Sequence, residues 1–92
     1  MSIKIKCSHI LVKKHSEALE IIEKIKKGEN FSRLAKQFSL DKASGKRGGD
    51  LGFFTKGMMV KPFEETAFIL QIGEISQPVK TEFGYHIIKR IT

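Results

Sequence analysis

Apolar residues recur with two different periods along this chain. From Ile3 to Val12 they alternate: Ile3, Ile5, Cys7, His9 and Leu11 fall on one face and Lys4, Lys6 and Ser8 on the other, before Ile10 and Val12 turn apolar as well. The pattern predicts a strand that is covered on both faces in its second half. Beyond it the period lengthens. Ala18, Ile21, Ile22 and Ile25 recur at i, i+3, i+4 and i+7, which predicts a helix from Glu17 to about Lys27 with Ser16 as its N-cap and Gly28 beyond its end. The pairs Glu20–Lys24 and Glu23–Lys27 support it with an acid four residues before a base. Asn30 can cap a second helix whose stripe is Phe31, Leu34, Ala35 and Phe38.

Asp41 to Gly49 is polar, basic and glycine-containing, and reads as a loop. Leu51 to Thr55 predicts a short strand. A third helix starts at Lys61-Pro62-Phe63-Glu64-Glu65, with proline in its first turn, glutamates at its positive end, and Phe63, Ala67 and Leu70 on one face. Ile72 to Ile75 is a turn. Gln77 to Thr81 is a strand whose start or edge is marked by Pro78, and Glu82-Phe83-Gly84 turns into a last strand, Tyr85 to Ile91. The order strand, helix, helix, strand, helix, strand, strand predicts an α+β fold, helices packed on a small antiparallel sheet.

Ninety-two residues suffice for one core, so residues 1–92 are read as a single domain with no repeat or linker. No apolar run approaches the roughly 20 residues that span a bilayer, and no secretory leader pattern precedes the first strand. A single cysteine, Cys7, excludes an internal disulfide. A cytoplasmic location, peripheral at an anionic membrane surface in one reading, is the expectation. The net charge of +7 is uneven: residues 1–47 hold twelve Lys and Arg against five Asp and Glu, and the remainder is balanced. Lysines dominate, which argues against base-specific readout of DNA by arginine forks. They suit a solvated basic surface, or a weak, salt-sensitive contact with an anionic membrane or nucleic acid.

Chemistry concentrates in two histidines near opposite ends, in Lys6-Cys7-Ser8-His9-Ile10-Leu11-Val12 and Phe83-Gly84-Tyr85-His86-Ile87-Ile88. The first and last strands can pair at the centre of a sheet and bring the two imidazoles together. Cys7 and His9 share a strand face, but residues two apart on a strand lie about 7 Å apart, long for direct proton transfer, so Cys7 reads as a small buried hydrophobe. Neither a Ser-His-Asp order nor zinc-ligand spacing is present, and Gly48-Gly49-Asp50-Leu51-Gly52 precedes a strand, the wrong context for a dinucleotide loop. No metal or cofactor is expected.

Those two segments, with Phe38-Ser39, Lys46-Arg47-Gly48-Gly49-Asp50-Leu51-Gly52, Lys61-Pro62-Phe63-Glu64 and Gly73-Glu74-Ile75-Ser76-Gln77-Pro78-Val79, occur in an order that resembles the parvulin-type peptidyl-prolyl cis/trans isomerases over nearly the whole chain. The resemblance implies a four-stranded antiparallel sheet with the N- and C-terminal strands central, surrounded by three to four helices, in a parvulin/FKBP-like arrangement. It implies rotation of X–Pro bonds in exposed or unfolded segments, to assist folding, without cofactor; nothing in the sequence demands more than a monomer. By the same resemblance His9 and His86 form a central pair held by Thr81, and Asp41 opposes charge on the substrate carbonyl. Leu51, Met59 and Phe63 form a proline pocket with Phe54 and Phe83 at its rim. Phosphate-directed parvulins carry a longer, arginine-bearing first loop, whereas here the link is Lys13-Lys14-His15. Strict phosphate dependence is therefore not expected, and Lys13, Lys46 and Arg47 give at most an electrostatic bias toward acidic residues. Two other readings remain at this point: a chaperone that holds proline-containing segments with incidental turnover, and a basic protein that docks on an anionic surface.

Overall fold

The computed structural model describes residues 3–92. Its elements are β1 (Ile5–Val12), α1 (His15–Lys26), α2 (Phe31–Phe38), α3 (Lys42–Gly45), β2 (Asp50–Phe54), α4 (Lys61–Ile69), β3 (Val79–Thr81) and β4 (Gly84–Arg90). The four strands form one antiparallel sheet in the order β2-β1-β4-β3, so the first and last strands are its centre, as expected.

Alternation along the two central strands gives the sheet two unlike faces. Ile10, Val12 and Ile87 pack against α1 and α2 through Ala18, Ile21, Ile22, Phe31, Leu34 and Ala35. Ile5, Cys7 and Ile88 point the other way and pack with Phe54 against Phe63, Ala67 and Leu70 of the α4 segment. The apolar second half of β1 is sealed on one side only: Ile10 and Val12 enter the α1/α2 core, while Leu11 on the other face belongs to neither core and is only half-buried.

Three local expectations change. Helix α1 starts at His15 with Lys14, not Ser16, as its N-cap. The Ala18 amide already bonds to the Lys14 carbonyl (3.2 Å), and Glu17 Oε1 reaches back to accept the Lys14 amide (2.9 Å), so Ser16 lies inside the first turn. The predicted loop at 41–49 contains the single turn α3, capped by Asp41. Phe38 ends α2 at 39 % exposure and does not complete the buried stripe. Helix α2 is otherwise as read, with Asn30 Oδ1 accepting the Arg33 amide at 3.0 Å.

Strands β1 and β2 pair with an irregularity that matters for the site. Lys6 lies opposite Phe53 and Ser8 opposite Asp50, so β2 carries one extra residue in between. Such a bulge resets the alternation, and Gly52 permits it with φ of 74°. Leu51 and Phe54, three apart, consequently face the same side of the sheet. Just before β2, the Gly49 carbonyl accepts the His9 amide at 2.9 Å. A Cβ at Gly49 would stand 2.4 Å from the His9 carbonyl oxygen, so only glycine lets the segment lie against the histidine strand.

Candidate active site

The face that carries α4 is only partly filled. A groove of about 500 Å³ opens there, lined by His9, Leu11, Asp41, Leu51, Met58, Met59, Val60, Phe63, Phe83 and His86. His9 and His86, both buried, form its base; Met58 and Phe83, at 65 % and 60 % exposure, stand at its mouth. The histidines come together diagonally across the central strand pair, since Leu11 faces His86 and His9 faces Ile88 in the register. Their rings stack at a 21° interplanar angle with centroids 5.1 Å apart. Phe63 presents its ring to both of them edge to face, at 5.6 and 5.3 Å.

The two imidazoles belong to a chain of four side chains. Asp41 Oδ2 lies 2.7 Å from His9 Nε2, His9 Nδ1 lies 2.9 Å from His86 Nδ1, and His86 Nε2 lies 2.7 Å from Thr81 Oγ1. Burial holds the His9 imidazole below its ordinary pKa, against the opposing pull of the Asp41 hydrogen bond and charge. Burial and the neighbouring His9 bring His86 down to about 4. Both rings are therefore neutral near pH 7, and the contact between His9 and Asp41 is a hydrogen bond between a neutral ring and a carboxylate. Partial burial alone would raise Asp41, but hydrogen bonds from Ser44 and His9 outweigh it and hold the carboxyl below its ordinary value.

These states leave one arrangement of protons. An ionised Asp41 can only accept, so His9 donates from Nε2 and accepts at Nδ1. His86 then donates from Nδ1 and accepts at Nε2, and Thr81 donates its hydroxyl proton to His86. Thr81 Oγ1 retains a lone pair, which accepts the Phe83 amide at 3.2 Å. Every proton points toward Asp41, and every polar atom of the pair has a partner. No ring nitrogen is left free to attack a substrate.

Of the residues read from the sequence, His9, His86, Thr81 and Asp41 converge on this chain, and Leu51, Met59, Phe63 and Phe83 line the groove. Phe54 does not. It is 1 % exposed and packs beneath the groove against Phe63 and Phe68, because the β2 bulge turns it into the core. Lys13, Lys46 and Arg47 are exposed and do not line the groove. Arg47 instead donates to the Asp50 carbonyl at 3.3 Å, on the opposite side of the sheet. Cys7 lies in the core, and burial pushes its thiol up to about 11, which agrees with an inert side chain.

The sequence reading missed Leu11, Met58 and Val60 as groove residues, and Ser39 and Ser44 as supports. Ser44 donates its hydroxyl to Asp41 Oδ2 at 2.6 Å, and its amide approaches Oδ1 at 3.5 Å. Ser39 Oγ accepts the amides of Leu11 (3.1 Å) and Asp41 (3.3 Å), fastening the Asp41 turn to β1. The Asp41–Ser44 spacing is a helix-capping signature that was readable; nothing local announces that Ser39 bonds to a strand 28 positions away.

The groove and its histidine chain can be set beside known proteins. The profile of the PPIC-type PPIASE domain matches residues 1–91. The foldase protein PrsA of Geobacillus kaustophilus is 58 % identical over 86 residues, covering 94 % of this chain and 31 % of the foldase. The chain thus spans about a third of the length of the curated relatives it matches. Among solved structures, NmPin, the parvulin of Nitrosopumilus maritimus, is 66 % identical with a TM-score of 0.89, covering 100 % of this chain and 99 % of NmPin. CsPin of Cenarcheaum symbiosum is 62 % identical with a TM-score of 0.86, covering 100 % and 95 %. The sheet order, the groove and the profile agree, and this chain belongs to the PPIC-type, or parvulin, peptidyl-prolyl isomerase domain family.

Proposed function

We propose that the chain catalyses cis/trans rotation of X–Pro bonds in exposed or unfolded segments and thereby assists folding. The observation that carries the reading is an apolar groove based on two neutral, mutually bonded histidines with one carboxylate at its edge. Uncatalysed rotation faces a barrier of about 18–20 kcal/mol, set by amide resonance. The twisted transition state loses that resonance and is less polar than the planar amide. Leu51, Met59 and Phe63 enclose a proline ring and exclude water from the bond, which favours the less polar state. The half-buried Asp41 carboxylate disfavours negative charge on the substrate carbonyl oxygen and so weakens the partial double bond. The histidine chain has no free nitrogen, so its part is to hold Asp41 ionised and to give the groove a fixed, weakly polar base. It acts as positioning machinery.

The partners are proline-containing polypeptide segments. Only Lys13 and Lys14 separate β1 from α1, too little chain for a phosphate clamp, which supports turnover without strict phosphate dependence. Both cores close within one chain, which supports a monomer. A cytoplasmic location with transient contact at an anionic surface belongs to the same proposal, supported by the excess of basic residues in positions 1–47.

The test is an exchange or protease-coupled assay on peptides Ala-Xaa-Pro-Phe. Acceleration with leucine or glutamate before proline at least equal to that with phosphoserine is expected. A marked phosphoserine preference would overturn the phosphate-independent reading, and no acceleration by folded protein would leave a proline-binding chaperone.

A further inference from the structure

The opposite side of the sheet carries a second cavity, of about 260 Å³, bounded by β1, the start of α2, the turn at residues 47–50 and the end of β4. Neighbouring residues of β1 point to opposite faces, so Ser8 lines this cavity while His9 lines the groove. Three independent features suit it to an anion.

Lys6, Arg47 and Lys89 all border it, with Lys89 Nζ 5.9 Å above the Phe31 ring. The one carboxylate there, Asp50, is already engaged, by Lys6 Nζ at 3.5 Å and by the Gly52 amide at 2.8 Å. Positive charge remains in excess. The amides of Phe31 and Ser32, the first two of α2, have no acceptor among the described residues, since the Asn30 side chain takes only the Arg33 amide. Free N–H groups at the positive end of a helix favour an anion. Finally, Ser8 is 8 % exposed and its hydroxyl makes no hydrogen bond among the described residues. No side-chain polar atom among them is sealed away without a partner, so this hydroxyl opens into the cavity. A hydroxyl that opens into the cavity without a protein partner is free to donate to whatever occupies it.

We propose that this cavity binds a phosphoryl group. The Ser8 hydroxyl and the Phe31 and Ser32 amides would donate to its oxygens, and Lys6, Arg47 and Lys89 would neutralise it. Donors from a strand, a helix start and a turn surround the cavity, which suits a tetrahedral oxyanion better than a flat carboxylate. The group can arrive as a soluble phosphate or as a lipid headgroup.

The test titrates the isotopically labelled chain with inorganic phosphate at constant ionic strength, reading amide shifts. A single saturable isotherm at Ser8, Phe31, Ser32 and Gly48 is expected, at least tenfold weaker in Ser8→Ala and in Lys89→Gln. Ser32→Glu places a carboxylate where a helix start tolerates acid, and binding is lost while the dispersed amide spectrum of the sheet is kept. Sedimentation with phosphatidylglycerol vesicles but not phosphatidylcholine, abolished by Ser32→Glu, assigns the lipid source; phosphate saturation without vesicle binding assigns the soluble one. Shifts that rise without saturating, spread over lysines on every element, or persist in Ser32→Glu overturn the proposal.

Discussion

The two faces of the central strand pair are built from alternate residues of the same backbone, yet they solve different problems. On the α1/α2 face, Ile10, Val12 and Ile87 are sealed among aliphatic and aromatic neighbours. On the α4 face the equivalent central places are taken by His9 and His86, and the covering helix leaves a groove above them. One face spends its alternation on stability. The other buries polar rings, which is tolerable only because each ring nitrogen has a partner. The contrast predicts that stability and activity should separate by strand parity, residue by residue.

The largest effect should fall on the sealed face. Ile10→Ala removes a fully buried side chain and should cost about 2–5 kcal/mol in denaturant unfolding, with kcat/KM of the folded fraction within about twofold. A loss of turnover well beyond the loss of folded protein would mean that the two faces are mechanically coupled.

Acid should discriminate between the faces next. The folded-state values of His9 and His86 lie below the ordinary imidazole value of 6.5, His86 at about 4. Below pH 6.5 the unfolded chain binds protons that the folded chain refuses, so stability is complete above that pH and falls as pH drops toward 4. For His86 alone the loss is about 3 kcal/mol. Asp41, held below 3.8, adds a loss in the same direction as pH falls through its folded value. The sealed core contains no group that titrates in this range. Urea midpoints that stay level between pH 7 and 4.5 would show that the histidines are not neutral in the fold.

The smallest and most selective change is Asp41→Asn. It keeps an acceptor for His9 Nε2 but removes the charge at the groove edge. We expect kcat/KM to fall about tenfold, equivalent to about 1.4 kcal/mol, with unfolding shifted by less than 1 kcal/mol as befits a part-exposed group. An unchanged kcat/KM would assign Asp41 to structure and leave desolvation by the groove as the sole source of rate.

Strand β1 and most helix positions were legible because each rests on a periodic stripe, whereas the sheet with its first and last strands central came from the resemblance to the parvulins. The turn α3 was not, since Lys42 to Gly45 offers four residues and no apolar period. The histidine pair was legible because both residues sit in strand-like apolar runs near opposite ends of the chain and match the parvulin pattern. The error at Phe54 has a different origin. Strict alternation would put Leu51 and Phe54 on opposite faces, the site reading put both at the groove, and the bulge gives them one face but different depths. A single inserted residue cannot be placed from hydropathy, because the pattern on either side of it remains regular. Ser39 illustrates the same limit: its partners are two backbone amides, which carry no side-chain signal.

The strand order also governs when this domain can exist. Strand β1 leaves the ribosome well before its partner at the sheet centre, β4, which lies at Gly84–Arg90. Until that segment emerges, β1 can pair only with β2, and a two-stranded ribbon is marginal in water. His9 waits without His86, and Asp41 without a completed chain of protons. Folding must therefore wait for that segment, and its rate should track the closure of the long loop between β1 and β4. The histidine site is thus completed only by the last strand-pairing step of the fold.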